Sequence, residues 1–543
     1  MKTRNWLILI LILAAVLRFW GLSRGDTVND EVFYGFRAVG LMDFDEAAEQ
    51  TTPLEWLDPN IPSWTKLSFH DHPPLVFWVQ HFSILLFGEN NFALRFPSAV
   101  LGILSVYLLY LIGRRLYSAR AGLVAAALMA VTLNSVYISR TGLQEAFVIF
   151  FLLLASYFFL RSLDEENYLI WLGAALGLGF LTKYNVFVLV PIFTTYLLFF
   201  RRDYFLNKKL WLGGALAAII FSPVIIYNIK LYQTVGHFDF QFSYIFGQNP
   251  EVWKIAPGKE IGGLTDRLKN FVLRFIASNS WLFLGIFAAA ASAALVGAIK
   301  KRKEFLKENS FLLLASAYLL LLLAAIGPSY RFLTMLTPFM ALGTGVFLNY
   351  IYKSKIFLLA LGVFLAFEIF YSFNNQITYY PIGPQLWLSS KVRYENYNWG
   401  YNALGDFFKK ELKEKMPAIR FDARYKFIEK AQDKSLELAQ KNGFEPFPAM
   451  IITYGNFDRG AKLWVLDRLH IYHGWPVIDL DTYFKYLSEN GPDYYERVGF
   501  KHYYFVLAAN IVPSYEFQKI VGDTKSLSVL NPRGDETFRI YKF

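Results

Sequence analysis

The chain has 543 residues, of which 55% are hydrophobic and only 18% are charged, and its formal net charge is +11. Soluble globular proteins carry roughly 25% charged residues, so this composition argues against a soluble protein and for one that spans a membrane. Cysteine is absent, which excludes disulfide bonds, thiolate metal sites and thiol nucleophiles. We attribute the positive charge to Lys and Arg in cytoplasmic loops and expect no nucleic-acid partner.

Apolar runs of bilayer-crossing length predict about eleven transmembrane helices. They lie near residues 5–21, 96–113, 121–138, 145–161, 168–182, 184–200, 210–230, 280–299, 310–327, 331–350 and 355–373. The first run lacks a small-residue cleavage site, so we interpret it as a span and not as a signal peptide. A twelfth run, Pro73–Phe87, is shorter, begins with Pro-Pro and contains Gln80 and His81. We predict that it lies at the membrane interface.

The basic residues then decide the sidedness. If Pro73–Phe87 does not cross, the basic clusters fall on the cytoplasmic side, as the positive-inside rule requires. These clusters lie at 2–4, 114–120, 201–209, 300–307 and 353–355. The prediction is a multi-pass protein of the plasma (inner) membrane with a cytoplasmic N-terminus. Residues 22–95, the 231–279 loop and everything after about 375 would then lie outside.

The predicted outer face carries an unusual number of charged and imidazole side chains. The first loop contains the acidic pair Asp30-Glu31 and the triplet His70-Asp71-His72, and the outer helix ends carry Arg95, Arg140 with Glu145, Lys183 and Arg331. Ionisable groups at a membrane face are costly and usually functional, and this group of cations predicts a bound anion. For the acidic pair, a helix N-terminus with acidic first-turn residues is the structural alternative.

Several short motifs occur in a fixed order along residues 5–375. They are Asn29-Asp30-Glu31, Asp71-His72-Pro73-Pro74-Leu75, Phe87-Gly88 before Leu94-Arg95-Phe96-Pro97-Ser98, Gly177 to Tyr184, Ser222 to Asn228, and Tyr330-Arg331-Phe332 before Pro338. In these motifs the chain resembles the GT-C glycosyltransferases that use polyprenyl-phosphate sugars, the group of the protein O-mannosyltransferases and the lipid A aminoarabinose transferases. The resemblance implies a multi-pass helical GT-C-like fold with interfacial helices in the first external loop, and a catalytic base in that loop.

The resemblance and the chemistry of glycosyl transfer together assign roles to these residues. An inverting transfer needs one carboxylate to accept the proton of the acceptor, for which Asp30 is the candidate. Glu31 would orient either the acceptor or Asp30. The departing lipid phosphate needs cations, and Lys183, Arg331 and Arg140 suit that role because Arg binds phosphate through two N–H groups. The expected partners are a polyprenyl-phosphate-linked sugar, a protein or glycolipid acceptor, and the lipid bilayer.

The His-Asp-His triplet leaves two interpretations open. Asp71 and His72, completed by His237 of the second outer loop, could bind a divalent metal, although the spacing within one tripeptide is poor for zinc. Some relatives bind a metal immediately before the Pro-Pro, where they carry Glu-Lys; this sequence has Asp71-His72 there instead. The alternative is a hydrogen-bonded cap that fixes the start of the helix after the Pro-Pro, with no cofactor required. His72, Asp71 and Glu145 are also candidates for an acceptor or loop site.

The remaining outer segments are predicted as a lid and a small domain. Aromatic residues alternate with polar ones over 238–246, which suits either a lid over the donor or a plain interfacial segment. From 376 to 543 the hydropathy falls, and helical and strand-like stretches alternate, which predicts an external α/β domain. The strand-like runs are Ala449–Tyr454, Trp475–Ile478, His502–Leu507 and Thr537–Lys542. Asp479-Leu480-Asp481 has the form of a metal–nucleotide motif, but we interpret it as a helix cap.

We conclude from the sequence that the chain is a membrane glycosyltransferase with an inverting mechanism. It would move a single sugar from a polyprenyl-phosphate carrier to an acceptor on a protein, lipid or polysaccharide at the outer face. Two alternatives remain: an oligosaccharide ligase, and a transporter or flippase of lipid-linked sugars, for which inverted repeats and midplane charges would be expected.

Overall fold

The computed structural model describes residues 3–43, 61–248, 263–300, 302–351, 355–378, 380, 382–421 and 426–543. The described residues form two compact units. The first contains those up to Leu22 and from Ser63 to Asn396, and the second contains those from Ser23 to residue 43, residues 61–62, and those from Tyr397 to Phe543. This division differs from the predicted boundary at 375/376, because residues 23–43 group with the C-terminal region.

Residues 382–396 group with the first unit, and hydrogen bonds hold them against its helices. The side chain of Asn375 accepts a hydrogen bond from the Ser390 backbone N–H at 2.8 Å and donates one to the Leu388 carbonyl at 3.0 Å. The Ser390 hydroxyl donates to the carbonyl of Ala277 at 2.7 Å. The change in hydropathy near 376 therefore does not mark the end of this unit.

The first unit is helical. Its α-helices are Thr3–Phe19, Leu75–Phe87, Asn91–Leu116, Ala119–Val131, Leu133–Ile138, Glu145–Ser162, Tyr168–Phe180, Leu189–Phe200, Lys208–Val235, Phe240–Ile245, Leu264–Ser278, Trp281–Lys300, Arg302–Ile326, Tyr330–Leu333, Thr337–Ile351, Lys355–Gln376 and Gln385–Leu388. Its 3₁₀ helices are Ser63–Lys66, Tyr184–Val188, Arg202–Leu206, Thr334–Leu336 and Lys391–Asn396. Within the described ranges, 7 helices are long and apolar enough to cross a bilayer. The other predicted spans form shorter apolar helices, so the number of crossings stays a prediction.

The predicted span 121–138 is not one helix. It divides into Ala119–Val131 and Leu133–Ile138, and Thr132 between them is extended, with ψ of 138°. The break frees carbonyls that buried side chains satisfy: Arg18 donates to Ala130 at 3.0 Å and Ser372 to Val131 at 2.5 Å. A hydropathy window does not detect such a break because both halves are apolar.

Two glycines allow helices Tyr168–Phe180 and Lys208–Val235 to pack closely. A Cβ atom added at Gly173 would lie 2.0 Å from the carbonyl oxygen of Gly213. Small residues at such crossings let the backbones of membrane helices approach each other. This contact joins the helix that ends shortly before Lys183 to the helix that leads towards Asp239.

The predicted helix after the Pro-Pro motif is present as Leu75–Phe87. Its buried Gln80 donates to the Gly142 carbonyl at 2.7 Å, while Phe82, Leu85 and Leu86 are exposed. One side of this helix therefore packs on the unit and the other is apolar and open, as an interfacial helix requires.

The second unit contains a five-stranded mixed sheet. The strands of this unit are β1 (Lys415–Pro417), β2 (Glu445–Phe447), β3 (Ala449–Tyr454), β4 (Val477–Asp479), β5 (His502–Ala508), β6 (Leu527–Leu530) and β7 (Glu536–Lys542). The sheet order is β4-β3-β5-β7-β6; β3 pairs parallel with β4 and β5, β7 pairs antiparallel with β5 and β6, and β1 pairs parallel with β2. Four of the strands were predicted near these positions.

The helices of the second unit surround that sheet and include the start of the first outer loop. They are Asp30–Gly40, Tyr401–Glu411, Lys426–Lys441, Arg459–Lys462, a π-helical turn Leu463–Asp467, Arg468–His473, Leu480–Asn490, Tyr494–Val498 and Tyr515–Val521. The buried core contains Met450, Ile452, Phe505 and Leu507 from the central strands and Phe517 from a covering helix. The Asp479 carboxylate accepts a hydrogen bond from the Thr482 backbone N–H at 2.7 Å, which confirms the helix-cap interpretation of the Asp-Leu-Asp triplet.

Candidate active site

Three of the predicted site residues meet in the first unit. Glu145 begins helix Glu145–Ser162, Lys183 follows helix Tyr168–Phe180, and Arg331 lies in the turn Tyr330–Leu333. Glu145 is 0% exposed. Its Oε1 atom lies 2.6 Å from Lys183 Nζ and 3.9 Å from Arg331 Nε. The structure thus brings together charges that are 38 and 186 residues apart.

Phe332 forms the apolar wall of this cluster. The Lys183 ammonium and the Arg331 guanidinium each lie 5.0 Å from the centre of its ring. A ring face attracts cations and also displaces water, so Coulomb interactions at this position are stronger than in bulk solvent. The cluster therefore holds two cationic heads beside one buried carboxylate and one aromatic face.

Arg140 has a different environment from the one predicted. It is fully buried and donates hydrogen bonds to the carbonyls of Leu17 at 3.0 Å, Trp20 at 2.9 Å and Gly21 at 3.1 Å, and to that of Arg18. These carbonyls belong to the C-terminal end of the first helix, where cations stabilise the helix dipole. We therefore give Arg140 a structural role and do not carry it into the phosphate site.

The triplet before the Pro-Pro motif forms a compact turn. Asp71 Oδ2 lies 2.8 Å from His72 Nδ1, and Asp71 Oδ1 lies 3.7 Å from His70 Nε2. The His72 carbonyl accepts a hydrogen bond from the Phe69 N–H at 3.1 Å. Directly after the two prolines, the Leu75 N–H donates to the Leu181 carbonyl at 2.9 Å, which places this motif beside the segment that carries Lys183.

The segment that follows helix Lys208–Val235 joins the same region through a carboxylate that we did not predict as a site residue. Asp239 is buried, and its Oδ2 atom accepts hydrogen bonds from the Tyr184 hydroxyl at 2.7 Å and the Asn228 amide at 3.0 Å. The following residue, Phe240, donates its N–H to the His70 carbonyl at 2.6 Å. The His70–His72 turn, Tyr184 next to Lys183, and Asp239 therefore form one hydrogen-bonded network.

Burial raises the pKa of Asp239 from its ordinary value of 3.8 to about 6, although the hydrogen bonds from Phe242, Asn228 and Tyr184 oppose the shift. Burial also lowers the pKa of the neighbouring His237. The sequence did contain a signal, since Asp239 stands between two aromatic residues in an apolar stretch. A carboxylate in such surroundings is usually paired or functional.

The predicted metal ligands do not form a site. Across the part of the chain that the structure describes, no three His, Asp, Glu or Cys side chains gather as metal ligands would. His237 Nδ1 instead faces the Phe238 carbonyl at 2.7 Å, and Asp71 contacts the two neighbouring imidazoles. The residues present do not fit a metal, and we derive no chemical step through one.

The acidic pair lies in the second unit, at the start of helix Asp30–Gly40. Asp30 is half-buried and Glu31 is buried, and both occupy the first turn, where carboxylates stabilise a helix. Asn29 immediately before them has φ of 55° and ψ of −149°, a conformation that non-glycine residues rarely adopt. Backbone strain of this kind often occurs at functional sites.

Comparison with known proteins is consistent with these observations. Residues 71–227 match the family model of dolichyl-phosphate-mannose-protein mannosyltransferases. The chain is 28% identical to a putative mannosyltransferase of Bacillus subtilis over 282 residues, which is 47% of this chain and 37% of that protein. It is 26% identical over 159 residues to the undecaprenyl phosphate-alpha-4-amino-4-deoxy-L-arabinose arabinosyl transferase of Wigglesworthia glossinidia, covering 28% of each chain. The match thus spans about a third of these relatives.

Among solved structures, the fold is similar to that of ArnT from Cupriavidus metallidurans bound to undecaprenyl phosphate. The TM-score is 0.55 at 14% identity, and the match covers 100% of this chain and 98% of that one. Such a likeness concerns the fold only. The resemblance to GT-C glycosyltransferases that use polyprenyl-phosphate sugars, which the motifs indicated, is therefore confirmed in sequence and in fold.

Proposed function

We propose that this protein is a membrane glycosyltransferase that moves one sugar from a polyprenyl-phosphate carrier to an acceptor at the outer face of the plasma membrane. The observation that carries the proposal is the meeting of Lys183 and Arg331 on the buried Glu145 beside Phe332. Two cations held near one carboxylate suit a phosphate that gains charge during a reaction. The names of the relatives support the same class of donor.

In this proposal Lys183 and Arg331 hold the phosphate and Glu145 holds the cations. Lys183 is almost fully buried, whereas the Arg331 side chain is partly exposed, so Arg331 is the cation that an incoming headgroup would meet first. Arg can donate two parallel N–H bonds to a phosphate, and Lys acts as a point charge. The Glu145 carboxylate keeps both heads in place before the donor arrives, which reduces reorganisation during the reaction.

The bond changes balance without a further reagent. The bond between the anomeric carbon and the phosphate oxygen breaks, and the acceptor oxygen forms a new bond to that carbon from the opposite face. The acceptor loses its proton to a carboxylate, a role that the family resemblance assigns to Asp30, with Glu31 orienting it. The bare lipid phosphate leaves with the charge that the two cations stabilise.

Binding of the bare carrier tests the phosphate site. The purified protein in nanodiscs would be titrated with undecaprenyl phosphate, and the Arg331→Gln variant would be compared with wild type and with Arg115→Gln. Arg115 is a suitable control because its exposed guanidinium pairs with Asp164 away from this cluster. We expect Arg331→Gln to weaken binding about 10-fold or more, the loss of a charge-assisted hydrogen bond of about 1.5–3 kcal/mol. Equal affinity in all three proteins would contradict the proposal.

The same preparation separates the proposal from its alternatives. A panel of polyprenyl-phosphate sugars with candidate acceptors would be followed by release of the bare lipid phosphate. A single-sugar donor that is turned over supports the proposal and identifies the sugar. Turnover restricted to oligosaccharide donors would indicate a ligase, and movement of intact donors between leaflets without cleavage would indicate a flippase.

A further inference from the structure

The segment that carries the acidic pair is anchored to the C-terminal region by a buried carboxylate. Asp26 is 0% exposed. Its Oδ2 atom accepts hydrogen bonds from the backbone N–H groups of Trp399 at 2.6 Å and Tyr401 at 3.2 Å, and its Oδ1 atom accepts one from Asn402 at 2.8 Å. The backbone N–H of Asp26 also donates to the Tyr397 carbonyl at 2.9 Å. Four hydrogen bonds therefore join a residue of the first outer loop to one short segment more than 370 residues later.

These contacts make Asp26 the N-terminal cap of helix Tyr401–Glu411. The residue at the usual capping position is Gly400, which has no side chain that could accept a hydrogen bond. A carboxylate at this end satisfies N–H groups that have no partner within the helix and interacts favourably with the helix dipole. The Asn402 side chain returns the contact by donating to the carbonyls of Arg24 at 3.0 Å and Gly25 at 3.1 Å. Each of the two segments therefore donates hydrogen bonds to the other.

The other end of helix Asp30–Gly40 is held by the same region. The Tyr472 hydroxyl donates to the Phe36 carbonyl at 2.5 Å, and the two rings lie 4.9 Å apart. A Cβ atom added at Gly40 would lie 2.4 Å from the Tyr472 ring, so only glycine fits there. Tyr472 thus fixes the last turn of this helix.

A third part of the C-terminal region, at Gly460, lies beside the residues that flank the acidic pair. A Cβ atom added at Gly460 would lie 3.5 Å from the Asn29 backbone nitrogen and 3.4 Å from Val32. Asn29 is the residue with the strained backbone, directly before Asp30. Strain persists only where the surrounding structure holds it. Here Gly460 lies beside Asn29, while residues 397–402 hold Asp26 on one side of it and Tyr472 holds Phe36 on the other.

We infer that the C-terminal region positions the acidic pair, and that Asp26 is the positioning residue through which it does so. This inference rests on the proposed function, since it takes Asp30 as the proton acceptor. Asp26 touches no reacting atom in this account. It fixes where helix Asp30–Gly40 begins, and small displacements of catalytic groups cost about 100-fold in rate.

Asp26→Asn tests the inference because it keeps the size of the side chain and replaces one accepting oxygen by an NH₂ group. We expect kcat to fall about 10- to 100-fold while the KM for the lipid-linked donor stays unchanged. Hydrogen exchange should accelerate at Trp399, Tyr401 and Asn402, and also in residues 27–40. The matched control is Asp479→Asn, which removes a helix cap of the same unit that joins no distant segments. It should leave kcat and the exchange of 27–40 at wild-type values.

The outcomes separate this inference from the proposed function. Faster exchange at 399–402 without any change in residues 27–40, or a wild-type kcat in Asp26→Asn, would overturn the inference. A wild-type protein that turns over no donor would contradict the proposed function alone. Hydrogen exchange of residues 27–40 would still decide whether Asp26 holds that segment. If Asp26→Asn does not fold, Tyr472→Phe removes the hydrogen bond to Phe36, keeps the aromatic ring and should give the same split between kcat and KM. A wild-type kcat in Tyr472→Phe would then overturn the inference.

Discussion

Replacing Glu145 by Gln tests the charge cluster most sharply, because it removes the carboxylate and keeps the shape. At the observed 2.6 Å between Glu145 Oε1 and Lys183 Nζ, and an effective dielectric constant of about 20, the Coulomb attraction is roughly 6 kcal/mol. Desolvation of both groups offsets part of this attraction. Removing one partner of a buried pair nevertheless costs about 3–5 kcal/mol, because the remaining charge stays buried after its partner has been removed. We expect Glu145→Gln to lower the free energy of unfolding by that amount.

The assay is unfolding of the purified protein in detergent, with three comparison variants. Asp164→Asn removes the carboxylate of an exposed pair with Arg115 and should cost less than about 1 kcal/mol. Lys183→Met alone leaves Glu145 buried and should be as costly as Glu145→Gln. The double variant Glu145→Gln/Lys183→Met leaves neither charge of this pair, so it should be more stable than the sum of the single losses predicts.

Added undecaprenyl phosphate provides the second half of this test. A phosphate seated between Lys183 and Arg331 replaces the missing anion, so it should stabilise Glu145→Gln more than it stabilises wild type. It should have little effect on Lys183→Met. Additive losses in the double variant, together with equal stabilisation of Glu145→Gln and Lys183→Met by the lipid phosphate, would refute this account of the cluster.

Two further predictions concern the network and the packing around the site. The pKa of Asp239 is raised from 3.8 to about 6, so the folded state binds the proton more tightly. This tighter binding adds about 3 kcal/mol to the free energy of unfolding below about pH 4. The contribution is lost as the pH rises through about 6. Thermal unfolding between pH 4 and 7 should show this loss in wild type and not in Asp239→Asn. Gly173→Ala should strongly lower the unfolding temperature because the added methyl group meets the Gly213 carbonyl, whereas Gly214→Ala, with open space around it, should not.

The charge cluster could be predicted in part because its members lie at helix ends. The positive-inside rule placed Glu145, Lys183 and Arg331 on one face, and helices that cross a membrane side by side bring such ends together. Arg140 satisfied the same criteria, yet its guanidinium binds the carbonyls at the end of the first helix. The sequence shows where a cation lies along a helix. It does not show whether carbonyl groups at the end of a neighbouring helix already bind that cation.

The grouping of the first outer loop with the C-terminal region could not be predicted from the sequence. Asp26 lies in a short polar stretch between Arg24 and Asn29, where a carboxylate is most often solvated. Its partners are backbone N–H groups, which have no signature in the amino-acid sequence, and they lie more than 370 residues away. By contrast, four strands of the sheet were predicted near their observed positions because short runs rich in β-branched and aromatic residues mark them.

The measurement that tests the central claim most directly is release of bare polyprenyl phosphate from a lipid-linked sugar by wild type and by Asp30→Asn, with donor binding measured in the same samples. We expect wild type to release the lipid phosphate, and Asp30→Asn to bind the donor normally and release almost none. Near-normal release by Asp30→Asn would show that Asp30 is not the proton acceptor. Failure of wild type to cleave every donor offered with an acceptor would contradict the assignment as a glycosyltransferase.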